Sequence, residues 1–560
     1  MACAPRAALA RARSAPGRCP VRRRGVQQQA PAPDASPSGA HAAKRATSAS
    51  ASTSSAAIAD ALDLSSMGFS GAAAAPLKAP LASPAPRTPE RPRVKPPEKP
   101  ESAGPSPRSD GPVPVNVMLP LDTVGVDNTL NYKRALAAGL RALRSVGVEG
   151  VMVDVWWGVV ERDEPGVYDW SAYLELAELV TEAGLKLQCV MSFHACGGNV
   201  NDCCLVSLPL WVLEEAEANP DILFTDREGA RNCEYLSFAV DELPLLRGRT
   251  PVHVYADFCA SFRHAFADYL GESGTIQEVS VGMGPAGEMR FPSYPQGDTR
   301  WSFPGVGEFQ CYDKYMLSTL EACAELDGVP KWGHGGPHNA GRYNSRPWET
   351  DFFTDEAHGS WRTPYGHWFL DWYSGALIAH GERVASAASE AFAGSGVRLN
   401  AKLPGIHWMY DSCAHAAELT AGFYNTCERD GYTPVLEMLA RHSFGVSFTC
   451  AEMRDVEQPQ EAHSSPERLL EQVCSAAARC GVEVSGENAL PRYDAHAHTQ
   501  MVQNAYRPAA GGAGRMSSMT FLRMGEGLFK PDAWVSFVQF ARTMSMGPSG
   551  NPVHGGAEAQ

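Results

Sequence analysis

The chain has 560 residues, of which 44% are hydrophobic, and a net charge of −15, so it is long enough to bury a large globular core. The charge is uneven, because residues 1–110 carry a balance of +9 and the remainder carries −24. An acidic body argues against nucleic-acid binding, whose affinity comes largely from Lys and Arg, and suits a neutral, hydroxyl-rich ligand. No run of about 18 apolar residues is present, so we expect no transmembrane helix.

The first 45 residues have seven arginines by Arg24 and no acidic residue before Asp34. A segment rich in Ala, Arg and Ser but poor in acids is typical of an organelle transit peptide, and the long Ser/Ala continuation favours a plastid. A merely disordered basic tail is the alternative. Residues 46–110 are rich in Ser, Ala and then Pro, so we expect a disordered linker there, and a flexible tail at residues 546–560.

Ordered structure is predicted to begin near Pro112 with the short apolar run "VPVNVMLP". Leu136, Leu140 and Leu143 then share one helical face, and Gly147 provides a C-terminal cap. The next segments predict a strand in "GVMVDVWWG", a helix in "SAYLELAELVTEAG" and a strand in "KLQCVMSFH". Further strands are predicted at "IQEVSVGMG", "VRLNAKLPG", "GVSFTC", "VEVSGEN" and "MTFLRM", before a last helix, "PDAWVSFVQFARTM", that begins with proline.

Eight strands that alternate with helices and are apolar on both faces predict an α/β protein, namely a (β/α)8 TIM barrel over residues 111–545. Long loop insertions are expected after the third and fourth strands, at residues 196–275 and 291–395. A doubly wound open sheet is the alternative, but no GxGxxG follows the first strand to support it. In a barrel, the insertions would shape one deep pocket at the C-terminal face.

Polar side chains recur at the predicted C-terminal ends of the strands. Because these ends converge in a TIM barrel, residues that are distant in sequence would meet around one axis. The set is Asp154, His194, Asp202, Glu288, Lys402, Thr449, Glu487 and Arg523.

Two carboxylates of this set are expected to differ in protonation. Little charge surrounds Glu288 in "GPAGEMRFPSYPQ", which would favour its protonated form, whereas Asn488 could hydrogen-bond Glu487 and hold it ionised. An acid and a base among many aromatic residues are what glycoside hydrolysis requires. Spacing alone does not decide this, because any acidic α/β protein offers glutamates at strand ends.

Each of these residues also has an ordinary structural interpretation. Asp154 could cap the next loop, and His194 could be a core histidine whose hydrogen bonds are satisfied. Lys402 and Arg523 could be salt-bridge partners. Cys450 could be a reactive thiol or a small buried hydrophobe.

The cysteines and histidines give no metal pattern. There is no CxxC pair, and Cys203 with Cys204 lacks the second half of a zinc site. In "HGGPH", His334 and His338 have the spacing of a metal-binding helix, but the two glycines and the proline between them predict a loop. We therefore expect reduced, mostly structural thiols, no metal and no cofactor.

Long motifs go beyond strand-end patterns. The chain closely resembles the β-amylases of glycoside hydrolase family 14, of the plastid-targeted type, in "VDVWWGVVE", "MSFHACGGNVND", "GMGPAGEMRFPSYPQ", "HAAELTAGFYN", "FTCAEMRDVEQP" and "GENALPRYDAHAHTQ". The resemblance extends from about Pro112 to about Met544. It implies a (β/α)8 barrel and exo-hydrolysis of α-1,4-glucan (starch or maltodextrin) from the non-reducing end, releasing maltose with inversion to the β-anomer.

The resemblance also implies a role for each matching position. Glu288 would be the general acid, and Glu487 would be the general base that activates water. The implied substrate-binding residues are Asp154, His194, Asp202, Lys402, His407, Thr449, Asn488, Ala489 and Arg523. Of these, Asp202 would lie on a lid, and Thr449 would also help to stabilise the general base.

A protein of another class is the alternative: a catalytically weak, amylase-like glucan sensor or scaffold. The intact acid, base and lid positions oppose it. We expect α-1,4-glucan and maltose as ligands, no nucleic acid, no membrane, and a monomer or weak homo-oligomer in the chloroplast stroma.

Overall fold

The computed structural model describes residues 111–199, 202, 204–297, 299–354, 360–507 and 515–547. The predicted transit peptide (1–45), the predicted linker (46–110) and residues 548–560 of the predicted tail lie outside these residues.

The described residues contain ten strands: β1 (Val115–Met118), β2 (Gly150–Trp156), β3 (Lys186–Ser192), β4 (Leu223–Thr225), β5 (Arg231–Leu236), β6 (Ile276–Val281), β7 (Arg398–Leu403), β8 (Phe444–Phe448), β9 (Val484–Glu487) and β10 (Met519–Phe521). Eight of them pair in parallel and close into a barrel in the order β1-β2-β3-β6-β7-β8-β9-β10, with β10 against β1. β4 and β5 form a separate antiparallel pair. The predicted (β/α)8 barrel is confirmed, and its closure excludes the open sheet.

The helices of the described residues are α1 (Lys133–Ser145), α2 (Trp157–Val160), α3 (Ser171–Glu182), α4 (Leu210–Ala218), α5 (Pro251–Ala265), α6 (Lys314–Leu326), α7 (Pro364–Ala391), α8 (Ala416–Ala421), α9 (Thr433–Arg441), α10 (Pro466–Cys480), α11 (Ala495–Tyr506) and α12 (Pro531–Met546). None of these helices is long and apolar enough to cross a membrane.

Helix α1 shows how the sequence pattern produces the outer layer of the barrel. Leu136, Leu140 and Leu143 are buried, as their common face predicts, and each such side chain contributes roughly 1.5–3 kcal/mol. The chain then leaves the helix through Gly147, whose φ of 90° is strained for any residue with a Cβ. The predicted helix and its terminating glycine are both confirmed.

The long loops after β3 and β6 carry the elements that the barrel itself does not need. After β3 the chain forms α4 and the β4–β5 hairpin before α5, and after β6 it forms α6 before the long helix α7. Helices α5 and α7 pack against each other in the outer layer. The predicted insertions at 196–275 and 291–395 therefore include these two barrel helices, and each true insertion is shorter than predicted. The sequence does not distinguish the helices of the barrel from those of the insertions, because both show the same apolar periodicity.

The barrel interior is filled towards the N-terminal ends of its strands. There Gln188 donates a hydrogen bond to the buried Glu278 at 3.1 Å. Nearer the C-terminal ends, Met118, Met152 and Val190 form a small apolar layer. Packing of this kind leaves the open space at the C-terminal face, where the insertions surround it.

Candidate active site

A cavity of about 490 Å³ lies at the C-terminal ends of the barrel strands. Its wall includes all eleven residues selected from the sequence: Asp154, His194, Asp202, Glu288, Lys402, His407, Thr449, Glu487, Asn488, Ala489 and Arg523. They come from the barrel strands or from the loops that follow them. Barrel closure thus brings together residues that are hundreds of positions apart, while their individual roles remain predictions.

Glu288 lies in the loop after β6, with 15% of its side chain exposed. Ala286 (φ 55°) and Gly287 (φ 72°) turn the chain immediately before it. Glu288 Oε2 accepts a hydrogen bond from Nε of Arg290 at 2.7 Å, and the arginine is buried. The expectation of sparse charge around Glu288 is therefore wrong, because the backbone at Glu288 is extended (φ −87°, ψ 142°) and the side chain two residues further on lies on the same side of the chain.

Glu487 is the last residue of β9, and its side chain is almost completely buried. Its Oε2 accepts a hydrogen bond from Lys402 Nζ at 2.8 Å, whereas the buried Oε1 has no hydrogen-bond partner among the described residues. Lys402 therefore forms an ion pair with this carboxylate. The unpaired oxygen can then accept a proton from a water molecule.

Asn488 does not hydrogen-bond Glu487, contrary to the sequence-based expectation. Its Nδ2 donates to the carbonyl oxygens of Leu490 (2.8 Å) and Leu522 (3.1 Å), and its Oδ1 accepts from the amide of Leu522 at 2.7 Å. Asn488 therefore joins the loops that follow β9 and β10. The contact with Glu487 that we expected from Asn488 is made by Lys402 instead.

Lys402 contacts both carboxylate positions. Its main chain pairs with the segment at Glu288, where its carbonyl accepts from the Met289 amide at 2.8 Å, and its Nζ binds Glu487. Burial alone would lower the pKa of Lys402, but Glu487 first, and then Asp154 and Glu288, raise it above its ordinary value. The lysine therefore keeps its positive charge inside the cavity wall.

The two histidines of the cavity wall are neutral hydrogen-bonding groups. Burial lowers the pKa of His194 to about 3 and that of His407 to about 4. In each, the buried Nδ1 has no hydrogen-bond partner among the described residues. Neutral imidazoles with unpaired nitrogens suit a ligand that carries hydroxyl groups.

Hydrogen bonds from other protein groups hold the side chains of three further wall residues. Asp154 Oδ1 accepts from the Ser192 hydroxyl at 2.8 Å, and Thr449 Oγ1 accepts from the Gly405 amide at 2.7 Å. Asp202 lies in the glycine-rich loop after β3 and accepts from two main-chain amides of the same loop, at 2.8 and 2.9 Å. Their remaining lone pairs are available to a ligand.

Ala489 and Arg523 complete the predicted set. The Ala489 amide donates to the buried carboxylate of Glu452 at 3.0 Å, and the Leu490 amide does so at 2.8 Å. Arg523 Nη1 lies 3.4 Å from the carbonyl oxygen of Leu119. Glu452 therefore fixes the main chain directly after Glu487.

Aromatic rings form one side of the cavity wall. Trp408 contacts both Tyr294 and Trp301, with ring centroids 5.1 and 5.4 Å apart. Phe303 lies 6.0 Å from the His407 ring and is 42% exposed at the mouth. Such faces can stack against sugar rings.

Three charged residues around the cavity were not selected from the sequence. Arg290 is only two positions beyond Glu288, so its proximity was a signal that could have been used. Glu452 follows Thr449 in "FTCAEMRD", but nothing in the sequence shows that it binds the amides after Glu487. Glu234 lies on the β4–β5 hairpin, far in sequence from any barrel strand, and no pattern marks it.

The cysteines test two expectations, namely that the thiols are reduced and that Cys450 is either reactive or buried. Cys413 and Cys427 form a disulfide, so the prediction of reduced thiols is wrong for this pair. They lie on either side of the segment that contains α8, and the Cys427 amide donates to the Cys413 carbonyl at 2.9 Å. Cys450 is buried, and burial raises the pKa of its thiol well above the ordinary value. The structure thus favours the small buried hydrophobe over the reactive thiol.

Within the part of the chain that the structure describes, no group of three or more His, Cys, Asp and Glu side chains is placed to hold a metal ion.

The chain is similar to proteins of a known family. Residues 116–550 match the sequence profile of glycosyl hydrolase family 14. The chain belongs to this family. It is 53% identical over 467 residues to "Beta-amylase 1, chloroplastic" of Oryza sativa subsp. japonica, covering 82% of this chain and 86% of that protein. It is 52% identical over 441 residues to "Beta-amylase 1, chloroplastic" of Arabidopsis thaliana, and the match covers 78% of this chain and 76% of that protein.

A solved structure gives the same result for the fold. The catalytic domain of the β-amylase from Paenibacillus polymyxa superimposes with a TM-score of 0.63 at 29% identity, covering 77% of this chain and 98% of that domain. The resemblance to plastid-type β-amylases that the sequence motifs indicated is confirmed.

Proposed function

We propose that this member of the family is an active, exo-acting β-amylase that hydrolyses α-1,4-glucan from non-reducing ends and releases β-maltose with inversion. The observation that carries the proposal is the placement of Glu288 and Glu487 in the wall of one cavity, where Lys402 binds the carboxylate of Glu487 and its main chain pairs with that of Glu288. Family membership and the names of the relatives support the same reaction.

The two carboxylates would divide the acid and base steps between them. Glu288 would donate its proton to the glycosidic oxygen as the bond to the anomeric carbon breaks. Glu487 would take a proton from a water molecule that attacks the same carbon from the opposite face. The reaction then leaves Glu288 ionised and Glu487 protonated, and both return to their starting forms by exchange with solvent.

The surroundings of Glu487 fit a base that activates water. Lys402 forms an ion pair with one of its oxygens, and the other oxygen has no partner among the described residues. An inverting enzyme keeps room for that water, with carboxyl groups roughly 6.5–9.5 Å apart, whereas a retaining enzyme brings them to about 5–5.5 Å. We expect the wider spacing when glucan is bound.

The remaining wall residues would bind and orient the sugar. The neutral His194 and His407 can hydrogen-bond hydroxyl groups, Asp154 and Asp202 can accept from them, and the rings beside Trp408 offer stacking faces. A wall of this kind recognises a neutral, hydroxyl-rich chain end without phosphate contacts.

Isosteric substitution of each carboxylate tests the assignment. Glu288→Gln and Glu487→Gln should each lower kcat on soluble starch by about 10²- to 10⁴-fold, the usual contribution of a general acid or base, while maltose binding by calorimetry is retained. Glu161→Gln is the matched control, because Glu161 is buried and paired with Arg249 but lies outside the cavity wall. Near-normal rates in either cavity variant would refute the assignment. A wild-type protein that binds glucan but releases no maltose would support the sensor alternative.

We further propose that the chain works in the plastid stroma as a monomer or weak homo-oligomer. The relatives named chloroplastic and the predicted transit peptide at residues 1–45 support the location. A fluorescent protein fused after the chain should accumulate in the stroma, and a cytosolic signal would contradict the proposal.

A further inference from the structure

Glu234 is a carboxylate that the proposed hydrolysis does not use. It lies on β5, in the hairpin outside the barrel, and it is not part of the cavity wall. Its Oε1 accepts hydrogen bonds from Asn199 Nδ2 at 2.8 Å and from the Ala286 amide at 2.7 Å. Its main-chain oxygen accepts from the Ala195 amide at 2.8 Å.

These contacts join two loops that carry residues of the cavity wall. Ala286 is the left-handed residue two positions before Glu288. Asn199 belongs to the glycine-rich loop after β3, where its amide donates to Asp202 Oδ2 at 2.9 Å. A single carboxylate therefore fastens the loop of the proposed acid to the loop of a proposed substrate-binding residue.

Glu234 also bears on the charge next to Glu288. The buried Arg290 lies 2.7 Å from the Glu288 carboxylate, and an adjacent positive charge favours the ionised form of a carboxyl group. A general acid must carry its proton when substrate binds. Burial raises the pKa of Glu234 and the charge of the same Arg290 opposes that rise, so that in its ionised form Glu234 offsets part of the positive charge that Glu288 experiences.

Other titratable groups facing this cluster are Asp202, His194, Tyr294 and Lys402. Burial lowers the pKa of His194 to about 3 and raises that of Tyr294 above its ordinary value, so both are neutral near pH 7. Lys402 is positive but is bonded to Glu487, and Asp202 is bonded to the amides of its own loop. None of these groups hydrogen-bonds both loops as Glu234 does.

We infer that Glu234 is a positioning residue of the reaction, which clamps the Asn199 and Ala286 loops together and offsets the charge of Arg290 so that Glu288 retains its proton. The inference rests on the proposed role of Glu288 as general acid. It assigns the β4–β5 hairpin a function in catalysis without contact with substrate.

The pH profile of Glu234→Gln tests the inference. The amide keeps the size of the side chain and an oxygen that can accept from Asn199 and Ala286, but it removes the charge. In kcat/KM for maltohexaose, the alkaline limb, which reports the acid, should move to lower pH by about one unit, while the acidic limb, which reports the base, stays in place. A merely structural role would lower the rate equally at every pH. An alkaline limb that does not move, or that moves to higher pH, overturns the inference.

Three further variants make the result specific. Glu234→Ala removes both the charge and the clamp, so it should show the same shift together with a lower kcat. Glu161→Gln, at a buried carboxylate paired with Arg249, should leave both limbs unchanged, and a shift there would count against the inference. Glu288→Gln separates the two claims. If that variant remains active, the proposed function fails. If it is inactive and the Glu234→Gln limb is unmoved, the positioning role alone fails.

Discussion

Lys402 combines two interpretations that looked like alternatives in the sequence. It is a salt-bridge partner, since its Nζ lies 2.8 Å from Glu487, and it is also part of the cavity wall. A buried cation that holds one carboxylate in place lets the same residue support the fold and the proposed chemistry. At the scale of single residues, structural and functional roles are not exclusive.

The sequence predicted which residues surround the cavity but not what each of them contacts. Asn488 was expected to bind Glu487, yet its side chain joins two loops. Arg290 was visible two positions from Glu288, yet its contact with that carboxylate depends on the extended backbone at Glu288. Hydrogen-bond partners are fixed by local backbone conformation, which composition and periodicity do not encode.

The buried, neutral His407 predicts how the stability of the fold depends on pH. Burial lowers the pKa of His407 from 6.5 to about 4, so in this window the unfolded chain binds a proton that the folded chain does not. The free energy of unfolding should therefore fall as pH decreases below about 6.5, by up to about 1.4 kcal/mol per pH unit from this residue. In urea unfolding at several pH values, the free energy of unfolding should decline less steeply with falling pH in His407→Gln than in the wild type. His253→Gln, at an exposed side chain, controls for the substitution itself, and equal slopes in wild type and His407→Gln would contradict the prediction.

The turn from Gly284 to Glu288 is the element that presents the proposed acid. A Cβ at Gly284 would lie 2.4 Å from the carbonyl oxygen of Glu288 and 2.7 Å from that of Arg290. Both neighbours are main-chain atoms that cannot rotate away. Glycine is therefore required at position 284, because the main chain of residues 288–290 passes too close to leave room for a Cβ.

Gly284→Ala should displace the Glu288 loop and lower kcat by about 100-fold, because shifts of about 1 Å near reacting groups have costs of this order. Gly375→Ala is the control: it lies in α7, where an added Cβ meets no atom within 4 Å, and it should raise stability by up to about 1 kcal/mol with normal activity. Steady-state kinetics and thermal unfolding of both variants check this. Normal kcat in Gly284→Ala would show that the turn tolerates the displacement.

Regular elements were predictable, and the irregular ones that complete the site were not. All eight barrel strands and the capped helix α1 follow from apolar runs and periodicity. The β4–β5 hairpin carries Glu234, but its strands are short and offer no clear alternation. The inferred positioning role of Glu234 thus belongs to a hairpin that the sequence could place only within a long insertion.

At the scale of the whole molecule, barrel closure is what makes the prediction from sequence possible. Once eight βα units are recognised, the ends of the strands must converge, so polar residues at those ends must share a space. The structure places all eight of these strand-end residues around one cavity, together with His407, Asn488 and Ala489, which the family resemblance had added.

Proton NMR of the first product formed tests the central claim most directly. During the first minutes of starch hydrolysis, before mutarotation equilibrates the anomers, the account predicts maltose as the product with its reducing end in the β configuration. Fresh maltose in the α configuration would contradict inversion by Glu288 and Glu487. Early release of oligosaccharides of mixed length would contradict exo-action at the chain end.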